Sequence, residues 1–272
     1  MELPAETHVN ERPRASWSEL ISADPQWTWR DGRLVHVDAP TAIESPRRYS
    51  ALHRLVVGNC YAKHNDSPKV RRRIAQLLAE LGTGDWGLNL GAGETALHAQ
   101  VLNLDISDAP SIDIVARGQK LPFKDHSLKL VISQEVMEHL PDPHLTVREV
   151  LRVLTVGGKF YCQIPFIIGY HPGPNDYWRF TREGLAQLFA DPRWQIVELD
   201  TSVGHGTGAY RIAVECAAVT ASLVSGALYK PAKGAAALLL SPIKLLDLVS
   251  DRSAQKDRIP GGYFCVVTKV RE

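Results

Sequence analysis

The sequence predicts an α/β fold: a doubly wound, mostly parallel sheet. A small β/helical extension precedes it, and a helical insertion separates its last two strands. Two observations carry this reading. Between residues 86 and 165, short apolar runs alternate with helix-like intervals, as when parallel strands are joined by crossovers with helices on both faces of one sheet. Glycine and polar residues follow the runs directly, namely Gly91 to Glu94, Asp105, Gly118 with Gln119, and Ser133 to Glu135. In such sheets ligands bind beyond the carboxyl ends of the strands, so these residues are expected to converge on one crevice.

Taken in order, the chain opens on about ten residues that are expected to be disordered. Trp27-Thr28-Trp29 and Leu34-Val35-His36-Val37 then flank Asp31-Gly32, which predicts a β-hairpin. Residues 46–81 carry Leu52, Leu55 and Val56, then Val70, Ile74, Leu77 and Leu78, at helical spacing, with Ser67-Pro68 opening the second run. Tyr49, His53, Tyr61 and His64 lie on this segment as packing residues or as cover over a ligand. The first core strand follows at residue 86 and the second spans 101–105. The interval between them is far shorter than the dozen residues of an ordinary crossover, so its helix is expected to be about one turn. The third run is 112–116 and the fourth 128–133. Asp142-Pro143 caps a helix with Val147, Val150, Leu151 and Leu154 on its apolar face, and Gly157-Gly158 is expected to stop it before a fifth strand at 159–165. The sixth and seventh strands fall at 194–199 and 262–270. Between them, 209–228 and 235–249 read as helices separated by Lys230-Pro-Ala-Lys-Gly. Arg211, Glu215, Lys244 and Asp247 interrupt these runs, so neither is a membrane span. The division expected is an extension with the hairpin (1–45), the main domain (46–204 and 260–272) and a helical insertion (205–259) serving as a lid or dimer surface, with lipid contact a third option.

A net charge of +1, a pI near 7.8 and no basic run beyond Arg71-Arg72-Arg73 argue against a nucleic-acid partner. The four cysteines are far apart with no CxxC pair, which predicts neither a disulfide framework nor a metal site and suits a reducing compartment. The polar, acidic start does not resemble a secretory signal. A soluble, cytoplasmic protein is expected.

Gly91 and Gly93 after a strand allow a tight turn and close approach of backbone N–H groups to a ligand. Asp105, ending the next strand, can accept two hydrogen bonds from a ribose diol. Either feature alone suits an ordinary turn; together, in register, they point to a nucleoside site.

Five motifs in order carry a family resemblance: Leu-Asn-Leu-Gly-Ala-Gly (88–93), Leu-Asp-Ile (104–106), Leu-Pro-Phe-Lys-Asp-His-Ser-Leu (121–128), Glu-Val-Met-Glu-His-Leu-Pro-Asp-Pro (135–143) and Arg-Val-Leu-Thr-Val-Gly-Gly-Lys-Phe (152–160). Over about residues 86–200 the chain resembles the class I S-adenosylmethionine-dependent methyltransferases, in particular a small bacterial branch with a Rossmann-like fold. The resemblance implies S-adenosylmethionine as cofactor and S-adenosylhomocysteine as product. Gly91, Ala92, Gly93 and Glu94 would hold the methionine end, and Asp105 with Ile106 the ribose. Gly118, Gln119 and Leu121 would border the adenine; Ser133 and Gln134 would line the sulfonium side, with His139 nearby. Two positions depart from the family pattern. Thr95 replaces the last glycine of the loop, and Arg117 stands where many relatives place an adenine-contacting aspartate, which shifts that contact to Gly118 and Gln119.

After the fifth strand, residues 165–181 form a proline-fixed loop with Tyr170, His171, Asn175, Asp176, Tyr177 and Arg179 as substrate residues. A similar stretch occurs in the same branch, whose members are associated with glycan, lipid or secondary-metabolite pathways. His171 and His139 are the candidate bases for an oxygen acceptor. Ser133-Gln134-Glu135-Val136 stands where base-modifying amino methylases carry an Asn-Pro-Pro-Tyr type of signature. The expectation is O-methylation of a small molecule, with a homodimer through the insertion. The alternative is a protein of the same fold that binds the cofactor without methylating, such as a cyclase or a decayed regulatory subunit.

Overall fold

A computed structural model describes residues 16–39, 67–93, 95–107 and 109–272. Tyr49, His53, Tyr61, His64 and Glu94 lie outside the described residues. Strands β1 (Trp27–Arg30) and β2 (Arg33–His36) form the expected hairpin. Asp31 and Gly32 have φ of 48° and 78°, the left-handed pair that a two-residue hairpin turn needs to match strand twist. The hairpin is not a separate lobe, because β2 pairs in parallel with β5 (Ile114–Val115) and so extends the main sheet. Trp17 and Trp27 pack into the main core beneath it.

Helix α1 (Pro68–Ala79) is capped by Ser67, whose hydroxyl accepts from the Val70 N–H at 3.2 Å and donates to the Ser202 carbonyl at 2.6 Å. It buries Val70, Ile74, Leu77 and Leu78 against the sheet. Strands β3 (Gly87–Leu90), β4 (Val101–Asp105), β5, β6 (Leu128–Gln134) and β7 (Leu154–Pro165) run parallel. β9 (Gly262–Lys269) is antiparallel to β7 and to β8 (Trp194–Val203). The order across the sheet is β1-β2-β5-β4-β3-β6-β7-β9-β8. β3 is therefore the point from which the chain winds first one way and then the other, and ligands in open α/β sheets bind beyond the carboxyl ends of the strands at that point. No helix interrupts the described residues between β3 and β4, where a helix of about one turn was expected.

Helix α2 (Pro143–Val153) starts on Asp142, whose carboxylate accepts from the His144 and Leu145 N–H groups at 2.9 and 3.3 Å. Gly157-Gly158 does not stop it. The helix ends at Val153, β7 begins at once, and both glycines lie inside the strand, with Gly157 at φ 79° where the pairing with β6 shifts register. Helix α3 (Arg182–Leu188) is capped by Thr181, which accepts from the Gly184 N–H at 3.1 Å.

The insertion contains α4 (His205–Ser222), α5 (Tyr229–Leu239) and α6 (Asp247–Ser250). Its first break falls at 223–228, not at 230–234. Pro231 sits in the first turn of α5, where a missing N–H costs nothing, so the helix runs through the segment read as a linker. Tyr210 and Val214 pack on Ala236 and Ala237, and the Tyr210 hydroxyl donates to the Ala237 carbonyl at 3.0 Å. Leu223, Val224, Leu239 and Leu248 stand more than 70 % exposed on this subdomain. Among the described residues, no helix is long and apolar enough to cross a membrane.

Candidate functional site

A cavity of about 210 Å³ opens beyond the carboxyl ends of β3, β4 and β6. Gly91 turns the chain immediately after β3 with φ 72°, and a Cβ there would lie 2.2 Å from Val136 Cγ2. Both its conformation and its neighbour thus exclude a side chain. Gly93 has φ 55°, but a Cβ there would meet nothing, so only its conformation is constrained. The Gly93 N–H donates to Asp105 Oδ2 at 2.9 Å, and the Ser107 N–H donates to Asp105 Oδ1 at 2.8 Å. A carboxylate offers about four acceptor positions, so Asp105 keeps about two for a diol while bracing both loops. Gly118 approaches Leu90 so closely that a Cβ would lie 2.9 Å from Leu90 Cδ1.

The structure brings Gly91, Asp105, Ile106, Gly118, Gln119, His139, Asn175 and Tyr177 to the wall of this cavity. Arg117 lines it too. Ala92 and Gly93 lie in the same turn without forming that wall. Leu121 is buried, and its N–H donates to Glu149 Oε2 at 2.9 Å. Arg152 bonds Glu149, Asp125 and the carbonyls of Leu121 and Phe123. The Leu-Pro-Phe and Arg-Val-Leu motifs therefore act as one brace. Ser133 is fully buried within β6, and Gln134 sits 3.5 Å from Gln163 Oε1, so neither reaches the cavity wall. Tyr170, His171, Asp176 and Arg179 do not line the cavity; they lie in the loop that carries Asn175 and Tyr177, with Tyr170 exposed.

That loop is docked on the turn after β6. The Tyr177 and Trp178 N–H groups donate to the Glu138 carbonyl at 2.7 and 3.3 Å, and the Trp178 indole donates to the Leu140 carbonyl at 2.9 Å. Arg179 grips Asp176 with two contacts of 2.6 Å. Burial opposes ionisation of Asp176, yet this bidentate guanidinium holds its carboxyl down at about 2. His139 and His171 meet edge to face with centroids 5.0 Å apart.

Sequence reasoning placed Glu135 at the crevice without a role and missed Glu138, Asn89 and Asn103. Glu135 lines the cavity at φ 56°; burial and the charge of Glu138 push its carboxyl up to about 8. Glu138 is wholly buried below the two histidines. Asn89 and Asn103 are buried partners in register on β3 and β4. The Asn89 amide donates to the Thr95 carbonyl at 3.0 Å and that of Asn103 to the Ser111 carbonyl at 2.9 Å, fixing the two loops beyond their strands. The signal was present: a polar asparagine at the centre of each of two apolar runs is costly unless it is hydrogen-bonded.

Residues 79–162 match the model of the methyltransferase domain family. With the sheet order and glycine turn above, this matched segment is similar to the class I S-adenosylmethionine-dependent methyltransferases. Among its curated relatives is a demethylmenaquinone methyltransferase of Listeria monocytogenes serotype 4a (strain HCC23), 27% identical over 150 residues, covering 48% of this chain and 63% of the relative. The chain thus spans less than two thirds of that relative's length. Similar solved structures include a geranyl diphosphate C-methyltransferase from Streptomyces coelicolor A3(2), with TM-score 0.49 and 14% identity, covering 83% of this chain and 84% of the other. Another is the [4+2]-cyclase SpnF, with TM-score 0.45 and 15% identity, covering 72% and 80%.

Proposed function

We propose that this protein methylates a small-molecule acceptor, at oxygen, in a biosynthetic pathway for secondary metabolites or glycans, within the cytoplasm. The observation that carries the reading is the convergence of Gly91, Asp105, Gly118 and Gln119 with His139, Asn175 and Tyr177 on one cavity. The cofactor side fits S-adenosylmethionine. Gly91 leaves a cradle that a Cβ would fill, Asp105 has acceptor capacity left for a ribose diol, and Gly118 with Gln119 offers the adenine edge. When bound, this cofactor supplies a methyl group activated on a sulfonium.

The residues of the chain hold, align and exclude water, which is the larger part of catalysis for an in-line transfer. Asn175 and Tyr177 line the same cavity as the glycine turn and are the acceptor-side residues in this reading. His139 and His171 are on that side, and their imidazoles are the groups that loosen the hydroxyl proton. The exposed leucines and valines of the insertion support its use as a lid or dimer surface.

Calorimetric titration with S-adenosylhomocysteine and S-adenosylmethionine tests the cofactor assignment, and mass-shift screening of acceptors tests the activity. The panel contains glycosyl and polyketide-like hydroxyl compounds and, given the Listeria relative's name, demethylmenaquinone. Micromolar binding with a gain of one methyl mass supports the reading. Binding without any transfer favours a non-methylating member such as a cyclase; absence of binding overturns the cofactor assignment.

A further inference from the structure

We propose that Glu138, His139 and His171 form a site for one divalent first-row transition cation, zinc being the first candidate, with its open side toward the cavity and an oxygen-donor substrate. One donor atom from each of the three lies within 4.8 Å of the others. The Glu138 side chain is 0 % exposed and neither of its oxygens has a hydrogen-bond partner among the described residues; the buried His171 Nε2 has none either. An unpaired buried carboxylate is costly, and the usual resolutions are a paired cation or a metal.

Hydrogen positions argue for a metal. His139 Nδ1 lies 2.5 Å from the Asn175 carbonyl, which can only accept, so Nδ1 carries the hydrogen and Nε2 presents a lone pair. At His171, Nδ1 lies 3.3 Å from Arg179 Nη2 and 3.5 Å from Asp176 Oδ2. Binding of an ion at its Nε2 places the hydrogen on Nδ1, where Asp176 Oδ2 is the acceptor at hand. In that tautomer two imidazole lone pairs and a carboxylate converge. This is the tautomer arrangement of metal-bound histidines, each oriented from behind by a carbonyl or carboxylate.

Distance agrees. The Nε2 atoms of His139 and His171 lie 3.6 and 3.5 Å from Glu138 Oε1. A charge-assisted hydrogen bond would be about 2.7–2.9 Å. Two ligands about 2.1 Å from a tetrahedral ion stand about 3.4 Å apart. Two histidines and one glutamate, with a further position open, is a donor set that zinc takes in catalytic sites. His139 forms part of the cavity wall, which sets the proposed site at the edge of that cavity. The imidazoles then act on an acceptor through the ion. The widely spaced cysteines had predicted no metal, but none of these three ligands is a cysteine.

The cation site stands on these side chains and does not rest on the methyltransferase reading. Chelator-stripped full-length protein is titrated with ZnCl2 by calorimetry, and Co2+ is added separately to read its visible absorption bands. The expected results are one ion per chain, micromolar or tighter, and Co2+ bands reporting nitrogen and oxygen ligands. Glu138→Gln and His171→Ala should each weaken Zn2+ binding at least tenfold. S-adenosylhomocysteine affinity, measured in the same variants, reports folding and the cofactor site independently. A stripped wild type that takes up neither ion, or variants that retain cofactor binding and hold Zn2+ as tightly as wild type, overturns the site in favour of a shared proton. Should a variant lose cofactor binding through misfolding, the wild-type Co2+ spectrum decides: bands of sulfur ligation, or none, also overturn it.

Discussion

Glu135 leaves β6 in a left-handed conformation and lines the cavity with a carboxyl raised from 4.5 to about 8, by burial first and by Glu138 second. Between those two values the folded protein keeps a proton that the unfolded chain has released. Its contribution is therefore fully present below about 4.5 and is lost as pH rises toward about 8. Stability of chelator-treated protein should fall across this window with a slope of at most about 1.4 kcal/mol per pH unit. Glu135→Gln should flatten that slope in urea titrations at a series of pH values; an unchanged slope would assign it to other groups. Asp105 is also decided at this scale. Asp105→Ala should lower affinity for S-adenosylhomocysteine at least tenfold by calorimetry, since it removes both the diol acceptor and the bonds to the Gly93 and Ser107 N–H groups. Equal affinity would remove Asp105 from the site.

At the scale of elements, the turn after β3 separates two glycines that look alike in the sequence. Gly93→Ala meets only the cost of a left-handed residue, on the order of 1 kcal/mol. Gly91→Ala adds a 2.2 Å clash with Val136 at the mouth of the cavity. Urea unfolding and cofactor titration should therefore show the Gly91 variant losing more stability and most of its affinity, with the Gly93 variant the milder in both. The reverse order would mean that the turn relaxes away from Val136. β3 itself is core: Leu88 is 0 % exposed, and Leu88→Ala should cost about 2–5 kcal/mol. Strand runs and caps were legible here, because Ser67 and Asp142 announce helix starts by chemistry that acts within three residues. Helix ends were less so. Leu154 leaves α2 because pairing with β6 claims it, a contact to Leu128 that local sequence does not display.

For the whole molecule, binding to the folded state alone raises its stability by about 2.7 kcal/mol at a hundredfold excess over Kd. In a chain of this size that should appear as a rise of roughly 5 °C in Tm with S-adenosylhomocysteine, and as a clearly smaller rise at the same ligand concentration in the Asp105→Ala variant. No shift at saturating ligand would sink the cofactor assignment. The same scale shows how the hairpin, read as an extension, becomes part of the sheet: β2 supplies the free edge of β5 with a partner, and an unpaired edge is what sheets avoid.

The sequence by itself determined the doubly wound core, the glycine turn, the position of Asp105 and the loop of 165–181, because strand period, caps and turn residues are local signals. Only the tertiary structure decided which of those residues share a wall. It turned Ser133 and Leu121 into the core, set Glu135 on the cavity, and placed buried Glu138 beneath His139 and His171. The reason is physical. Burial, tautomer and the meeting of residues 138 and 171 depend on how the loop after β7 docks on the turn after β6, through backbone hydrogen bonds that no spacing along the chain encodes.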